Sequence, residues 1–286
     1  MKKLGVFYFS GTGNTEIAAK HVAQAFIQLG WSVELIRIED VNKKKIQLDI
    51  NQYDLIGLGS QVIGYGIPRV VRNFARAFPA ASDNKKVFVF RTAGGVVPSN
   101  YNASKGLIRI LKHKHYDVCY EELFSIGSNW IVKYDDVIMK QLYIATIRKI
   151  TRMCKAIEQG ERHFYKTGIA LRIKMGVIAT FSSGILSLLG KDAVIDKSCT
   201  ECGLCVKRCP AENISIEKGK VKFHASCSAC LRCVYSCPNY AINFRLLHFV
   251  IIPGGYNVKI SLSADGNPDE KPNGKIPPFF QEYVED

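Results

Sequence analysis

Apolar positions in the first 160 residues predict five strands interleaved with helices. Leu4–Phe9 is a continuous apolar run, the mark of a strand buried on both faces of a parallel sheet. Ile17, Ala18, His21, Val22, Ala25, Phe26 and Leu29 follow at helical spacing, and Gly30 closes that helix. Val33–Ile38, Tyr53–Gly59, Lys86–Arg91 and Val118–Phe124 read as four more strands. Pro68–Phe78, with proline at its start, Ala103–His115 and the long Asp135–Gln159 read as helices. The pattern predicts an α/β fold, a five-stranded doubly wound parallel sheet over residues 1–160.

The rhythm then changes. Glu161–Gly190 is too apolar for a flexible linker: Ile169, Leu171, Ile173, Val177, Ile178, Phe181, Ile185, Leu186, Leu188 and Leu189 need something to pack on. Its uncharged core, Met175–Gly190, has 16 residues and three serines, short of the ~20 apolar residues that span a bilayer. It is expected to be a helix docking the region after it onto the first domain, with interfacial membrane contact as the alternative. A small module over 191–246 comes next. The extension 247–286 offers an added strand at His248–Ile252, turn-rich sequence over Ser261–Pro278, and Phe279, Phe280 and Tyr283 as anchors; a loose tail is the competing reading.

Candidate chemistry concentrates in that module. Eight of the ten cysteines lie within 39 residues, as Cys199-x2-Cys202-x2-Cys205-x3-Cys209-Pro and, 28 residues on, Cys227-x2-Cys230-x2-Cys233-x3-Cys237-Pro. Thiolates are the soft ligands of iron–sulfur clusters, and three at steps of three curl round one face of a cube. Zinc ribbons need neither the third cysteine nor the Cys-Pro. A disulfide framework fits poorly in a chain that shows no secretory signal and is expected to be cytoplasmic. Residues 196–244 resemble the bacterial two-cluster ferredoxins. In that family the last cysteine of each run serves the other run's cluster. The resemblance implies two [4Fe–4S] clusters, one on Cys199, Cys202, Cys205 and Cys237 and one on Cys227, Cys230, Cys233 and Cys209.

A second candidate site follows the first strand. Ser10-Gly11-Thr12-Gly13-Asn14-Thr15 joins it to the first helix, so backbone N–H groups converge on an anion, helped by three hydroxyls. No Lys-Ser/Thr follows, which excludes a nucleoside-triphosphate loop, and the Gly-x-Gly-x-x-Gly dinucleotide fingerprint is absent. Val6-Phe7-Tyr8, Ser10, Gly13, Thr15, Ala19 and Val22 resemble the flavodoxin signature. That resemblance implies FMN, with its phosphate in the loop, and strand order 2-1-3-4-5. The flavin ring is then expected between the loops at the strand ends. These are Ser60, Gln61, Val62, Ile63 and Gly64; Thr92, Ala93, Gly94 and Gly95; and the loop holding Asn129. By register Ile63 takes the stacking position, with Tyr65 two residues on. Gly64 lies where flavodoxins turn a peptide toward the flavin. Asn129 is a candidate for the ring edge, and Trp130 for ring cover or packing.

As a whole the chain resembles fusions of a flavodoxin-like domain to a bacterial ferredoxin. The reading is an electron carrier of single electrons between FMN, the clusters and an outside redox protein. An FMN-dependent reductase of a small organic acceptor is the alternative, and no catalytic residue set is visible for it. The net charge of +14 suits an acidic redox partner, such as a ferredoxin, a hydrogenase or another oxidoreductase. The basic residues are dispersed and no nucleic-acid module is visible. Cluster chemistry suggests an anaerobe. Cys119 and Cys154 sit in apolar segments and read as packing residues. Lys112-His113-Lys114-His115 reads as a solvated helix end.

Overall fold

The structure is a computed structural model that describes residues 1–43, 48–263, 270, 272 and 276–286. The first domain alternates β1 (Lys3–Tyr8), α1 (Asn14–Gln28), β2 (Ser32–Arg37), α2 (Ile38–Asn42), β3 (Leu55–Gln61), α3 (Arg69–Ala77), β4 (Lys86–Thr92), α4 (Pro98–Tyr101), α5 (Lys105–His113), β5 (Asp117–Phe124) and α6 (Asp136–Glu158). All four strand pairings are parallel and the order is β2-β1-β3-β4-β5. This is the flavodoxin-like doubly wound arrangement, with its switch point between β1 and β3. Leu4, Val6, Phe7, Ile56, Val87, Phe88, Val89 and Phe90 are all inaccessible to solvent, because helices cover both faces of the sheet. Phe7, Tyr53, Phe74 and Phe78 pack on one face. Phe26, Trp31, Phe88 and Phe124 pack on the other.

α7 (Ile169–Ser187) and α8 (Leu189–Asp192) lead to the second module: β6 (Ala193–Ile195), α9 (Leu204–Arg208), the hairpin β7 (Ile214–Glu217) and β8 (Lys220–Phe223), α10 (Arg232–Tyr235) and β9 (Ile242–Phe244). β6 pairs antiparallel with β9, so the ends of the module are tied together. Its core is small. Leu189, Leu231, Val234, Ile242 and Phe244 pack with the cysteines themselves.

Two expectations are corrected. Six of the ten apolar residues assigned to docking stay bare: Ile169, Ile173, Val177, Phe181, Ile185 and Leu188 are 72, 62, 52, 70, 60 and 54% exposed, whereas Leu189 is buried and Leu186 packs on the second module. Periodicity reported an apolar face but not what covers it. His248–Val250 forms a 3-10 turn rather than an added strand.

The extension is no loose tail where it is described. α11 (Val258–Ser263) lies beside α1 and α6, and α12 (Phe280–Glu285) buries Phe280 and Tyr283 with Phe279 against Ile138, Leu142 and Ala145 of α6. The turn signals at Asp265–Pro268 and Lys271–Gly274 fall mainly outside the described residues.

Candidate functional site

The eight cysteines separate into two sets in space. Cys199, Cys202, Cys205 and Cys237 wall one cavity with Ile195, Leu204, Val221 and Ile242. Cys209, Cys227, Cys230 and Cys233 wall a second with Leu189, Leu231, Phe223 and Phe244. Each cavity takes three cysteines from one run and the fourth from the other. Among the described residues, no three His, Cys, Asp or Glu gather tightly enough for a single metal ion. The thiols surround a volume rather than a point, which fits a cubane.

The local chain makes this possible by turning sharply. Glu201, Gly203, Ala229 and Leu231 all have positive φ, between 51° and 70°. At equivalent places in the two runs the backbone therefore curls so that successive cysteines face inward. Backbone N–H groups already point at sulfur: Asn213 N–H to Cys209 Sγ at 3.2 Å, Ala229 N–H to Cys227 Sγ at 3.3 Å and Ala241 N–H to Cys237 Sγ at 3.4 Å. The Ser228 hydroxyl, buried in the wall of the second cavity, has no protein partner. It is placed to donate to a cluster's sulfur.

The two cavities differ in depth. Cys202 is exposed, whereas Cys209 and Cys230 are buried. Burial pushes the Cys227 thiol up to about 12, with the other cysteines adding to the effect, and raises Cys230 and Cys233 for the same first reason. Thiolates held this deep need positive charge beside them, which iron would supply. In the outer cavity, burial raises Cys205.

The inner cavity lies against the loop at the end of β1. A Cβ built on Gly11 would fall 2.5 Å from the Cys230 carbonyl oxygen and 2.8 Å from Gln61 Oε1, so only glycine lets the two loops meet. Arg232, on α10, fastens them. It donates to Ser10 O at 2.5 Å and to Gly11 O at 3.3 Å, and pairs with the buried Glu39 at 2.7 Å. Sequence reading missed both residues of that pair. A lone arginine between two cysteines gives no local sign of its distant partner.

Within Ser10–Thr15, Gly13 N–H donates to Ser10 Oγ at 3.1 Å and Thr15 Oγ1 meets Thr92 Oγ1 at 2.7 Å. Asn14 donates to Gly127 O at 3.0 Å and accepts from the Tyr256 hydroxyl at 2.7 Å. Gly13 precedes α1 with φ of 109°, and no side chain caps the helix start. That leaves first-turn N–H groups for an anion.

The ring-side residues are also brought together. Val62 N–H donates to Thr92 O at 2.8 Å, Ala93 N–H to Phe124 O at 3.0 Å, and Ser60 Oγ to Gln61 O at 3.0 Å. Gly64 and Tyr65, with φ of 53° and 62°, form a two-residue hairpin closed by mutual Ile63 and Gly66 bonds. This turn leaves Tyr65 40% exposed and packs Ile63 against the cysteine module together with Trp130. A Cβ on Gly94 would face Ser128 at 3.0 Å, and one on Gly95 would face Phe279 at 3.1 Å. Asn129 donates to Thr12 Oγ1 at 2.9 Å, and Tyr235 donates to Asn129 O at 2.9 Å. Trp130 Nε1 is buried with no acceptor. The uncapped helix start and the orphaned indole N–H are the donors here that an FMN phosphate and ring would use.

Cys119 and Cys154 are buried away from both cavities, and burial raises both thiols. His113 and His115 are exposed.

Residues 191–242 match the 4Fe-4S dicluster domain. No curated protein matches the chain. Among solved structures, flavodoxin 1 from Bacillus cereus is similar to 56% of this chain over 98% of its own length, at 21% identity and TM-score 0.40. A short-chain flavodoxin associated with a PDU bacterial microcompartment covers 56% of this chain and 100% of its own, at 15% identity and TM-score 0.42. Rubredoxin oxygen:oxidoreductase from Desulfovibrio gigas covers 55% of this chain but only 37% of that enzyme, at 21% identity and TM-score 0.38. The flavodoxin-like assignment of the first domain rests on its strand order; the dicluster domain follows it in the chain.

Proposed function

We propose that this protein relays single electrons between FMN in the first domain, the two clusters of the dicluster domain and an acidic redox protein outside. The observation that carries the reading is the contact of the Cys230 backbone with Gly11. It sets the inner cluster's ligand loop directly on the loop assigned to the FMN phosphate. The other cavity ends in the exposed Cys202 and is open to a partner. FMN would supply the exchange between one-electron and two-electron chemistry. The chain's own residues do the positioning. The uncapped start of α1 and Ser10, Thr12 and Thr15 hold the phosphate. Trp130, Ile63 and the Thr92–Gly95 loop are the residues that would border the ring. Arg232 keeps the two loops in register, and the buried thiols exclude water from the inner cluster.

The dicluster module is basic. Residues 191–246 carry nine Lys or Arg against five Asp or Glu, and Lys197, Lys207, Arg208, Lys218, Lys220 and Lys222 are exposed. An acidic partner is steered to such a face. Reducing conditions, as in a cytoplasm, keep the thiols available.

The test is purification without oxygen, with FMN, iron and sulfide counted per chain and reduction followed by rapid mixing. The reading requires about eight irons, one FMN, and electron exchange with an acidic ferredoxin in which cluster and flavin absorbance change together. Iron without FMN would reduce it to a ferredoxin on a flavodoxin-like scaffold. Turnover of small organic acceptors without exchange with redox proteins would replace it by a reductase.

A further inference from the structure

The face of α7 that the fold leaves bare has a defined shape. At about 100° per residue, Met175, Ala179, Ser182, Ser183 and Leu186 point to one side. That side is docked: the Ser182 hydroxyl donates to Gly64 O at 2.6 Å, Arg72 donates to the Ser183 hydroxyl, and Gly66 faces Ala179. Ile169, Ile173, Val177, Phe181, Ile185 and Leu188 lie on the other side, each more than half exposed.

The spacing distinguishes between occupants. A helical partner packing knobs into holes needs apolar residues at alternating steps of three and four, which keep a narrow seam. Four successive steps of four instead wind the apolar residues over about 160° of the helix. Such a broad face suits a medium that is apolar everywhere. Charge narrows the choice further. From Arg162 to Lys191 there is no Asp or Glu, while Lys166, Arg172, Lys174 and Lys191 are exposed. The helix has 19 residues and mean hydropathy 1.5, with 6% of its apolar window buried. Its docked side and the cations Arg172 and Lys174 argue against crossing a bilayer and for lying along one.

We infer that α7 is a monotopic anchor which seats the protein on an anionic lipid surface, its apolar face in the acyl boundary and its cations at the headgroups. Tyr65 is 40% exposed on the turn that holds the docked side of α7. This rests on α7 alone and stands whether or not FMN binds.

The experiment is co-sedimentation of the full-length, cluster-loaded protein with vesicles of phosphatidylcholine alone and of phosphatidylcholine with phosphatidylglycerol. Binding to the anionic vesicles is expected to exceed binding to neutral ones at least tenfold and to weaken with salt. The double variant F181E/I185E, at exposed positions, should lose at least tenfold in binding with iron content unchanged. R172E/K174E should lose the preference for phosphatidylglycerol. No sedimentation with either vesicle at millimolar lipid would overturn the proposal. So would self-association in solution that F181E/I185E abolishes, since a second copy would then be the occupant.

Discussion

At the scale of single residues, the cysteines were the most legible part of this chain. Ligand chemistry imposes short, fixed spacings, so the eight ligands can be read from the repeat, while their division into the two groups of four that wall the cavities came from the resemblance to two-cluster ferredoxins. Cys205→Ala is expected to lower iron from about eight to about four per chain and to leave the first domain folded; full iron content with undiminished redox activity would show that the ligand map is wrong. Residues whose role arises from the third dimension were not legible. Ser228 carries no motif, yet its hydroxyl is buried and unpartnered in the inner cavity wall. Hydrogen bonds to cluster sulfur raise the reduction potential by stabilising the added electron. Ser228→Ala should therefore make one cluster's midpoint more negative in an EPR-monitored titration and leave the other's unchanged. Equal shifts in both, or none, would remove Ser228 from that role.

At the scale of elements, the sheet was legible because continuous apolar runs in parallel strands have few alternatives. Predicted strand limits fall within two residues of those observed. α7 was legible as a helix but not in its surroundings, because an apolar stripe is the same signal whether protein or lipid covers it. Between α1 and α6 the fold holds a second feature absent from any motif. His21 Nε2 meets the Tyr143 hydroxyl at 2.9 Å, and burial lowers the His21 pKa. The unfolded chain then binds the proton more readily than the folded one, so the contribution is intact above the unfolded value near ~6.5 and is lost as pH falls through it. The half-buried site makes the effect modest. Against wild type, His21→Gln should show a shallower fall in Tm from pH 7 to pH 5, measured by the circular dichroism of the first domain. Parallel curves would assign the acid sensitivity to other groups.

At the scale of the whole molecule, a charged joint between the two modules lies where Arg232 and Glu39 meet beside Gly11. Glu39 is 6% exposed, and its second carboxylate oxygen already lacks a partner. Arg232→Met would strand that charge at a cost of about 3 kcal/mol. The double variant with Glu39→Gln is expected to recover much of it. If the single variant unfolds at the wild-type denaturant midpoint, the joint is held by other contacts. The dicluster domain carries an excess of exposed positive charge, and its inner cavity lies beside the first domain, where Cys230 approaches Gly11. On the proposed reading, electrons from a protein partner enter at the outer cluster, and the attraction that guides the partner is screened by salt over a Debye length of roughly 10 Å at 0.1 M. The second-order rate of reduction by an acidic ferredoxin should fall steeply between 20 and 300 mM salt, conditions chosen to span roughly that screening range. Charge reversal at Lys207 and Lys220 together should flatten the dependence. The internal step, once the outer cluster is reduced, should not change with salt, because buried thiols and the Gly11–Cys230 contact keep ions out of its path. A salt dependence in the internal step, with none in the bimolecular one, would reverse the assignment of the two cavities.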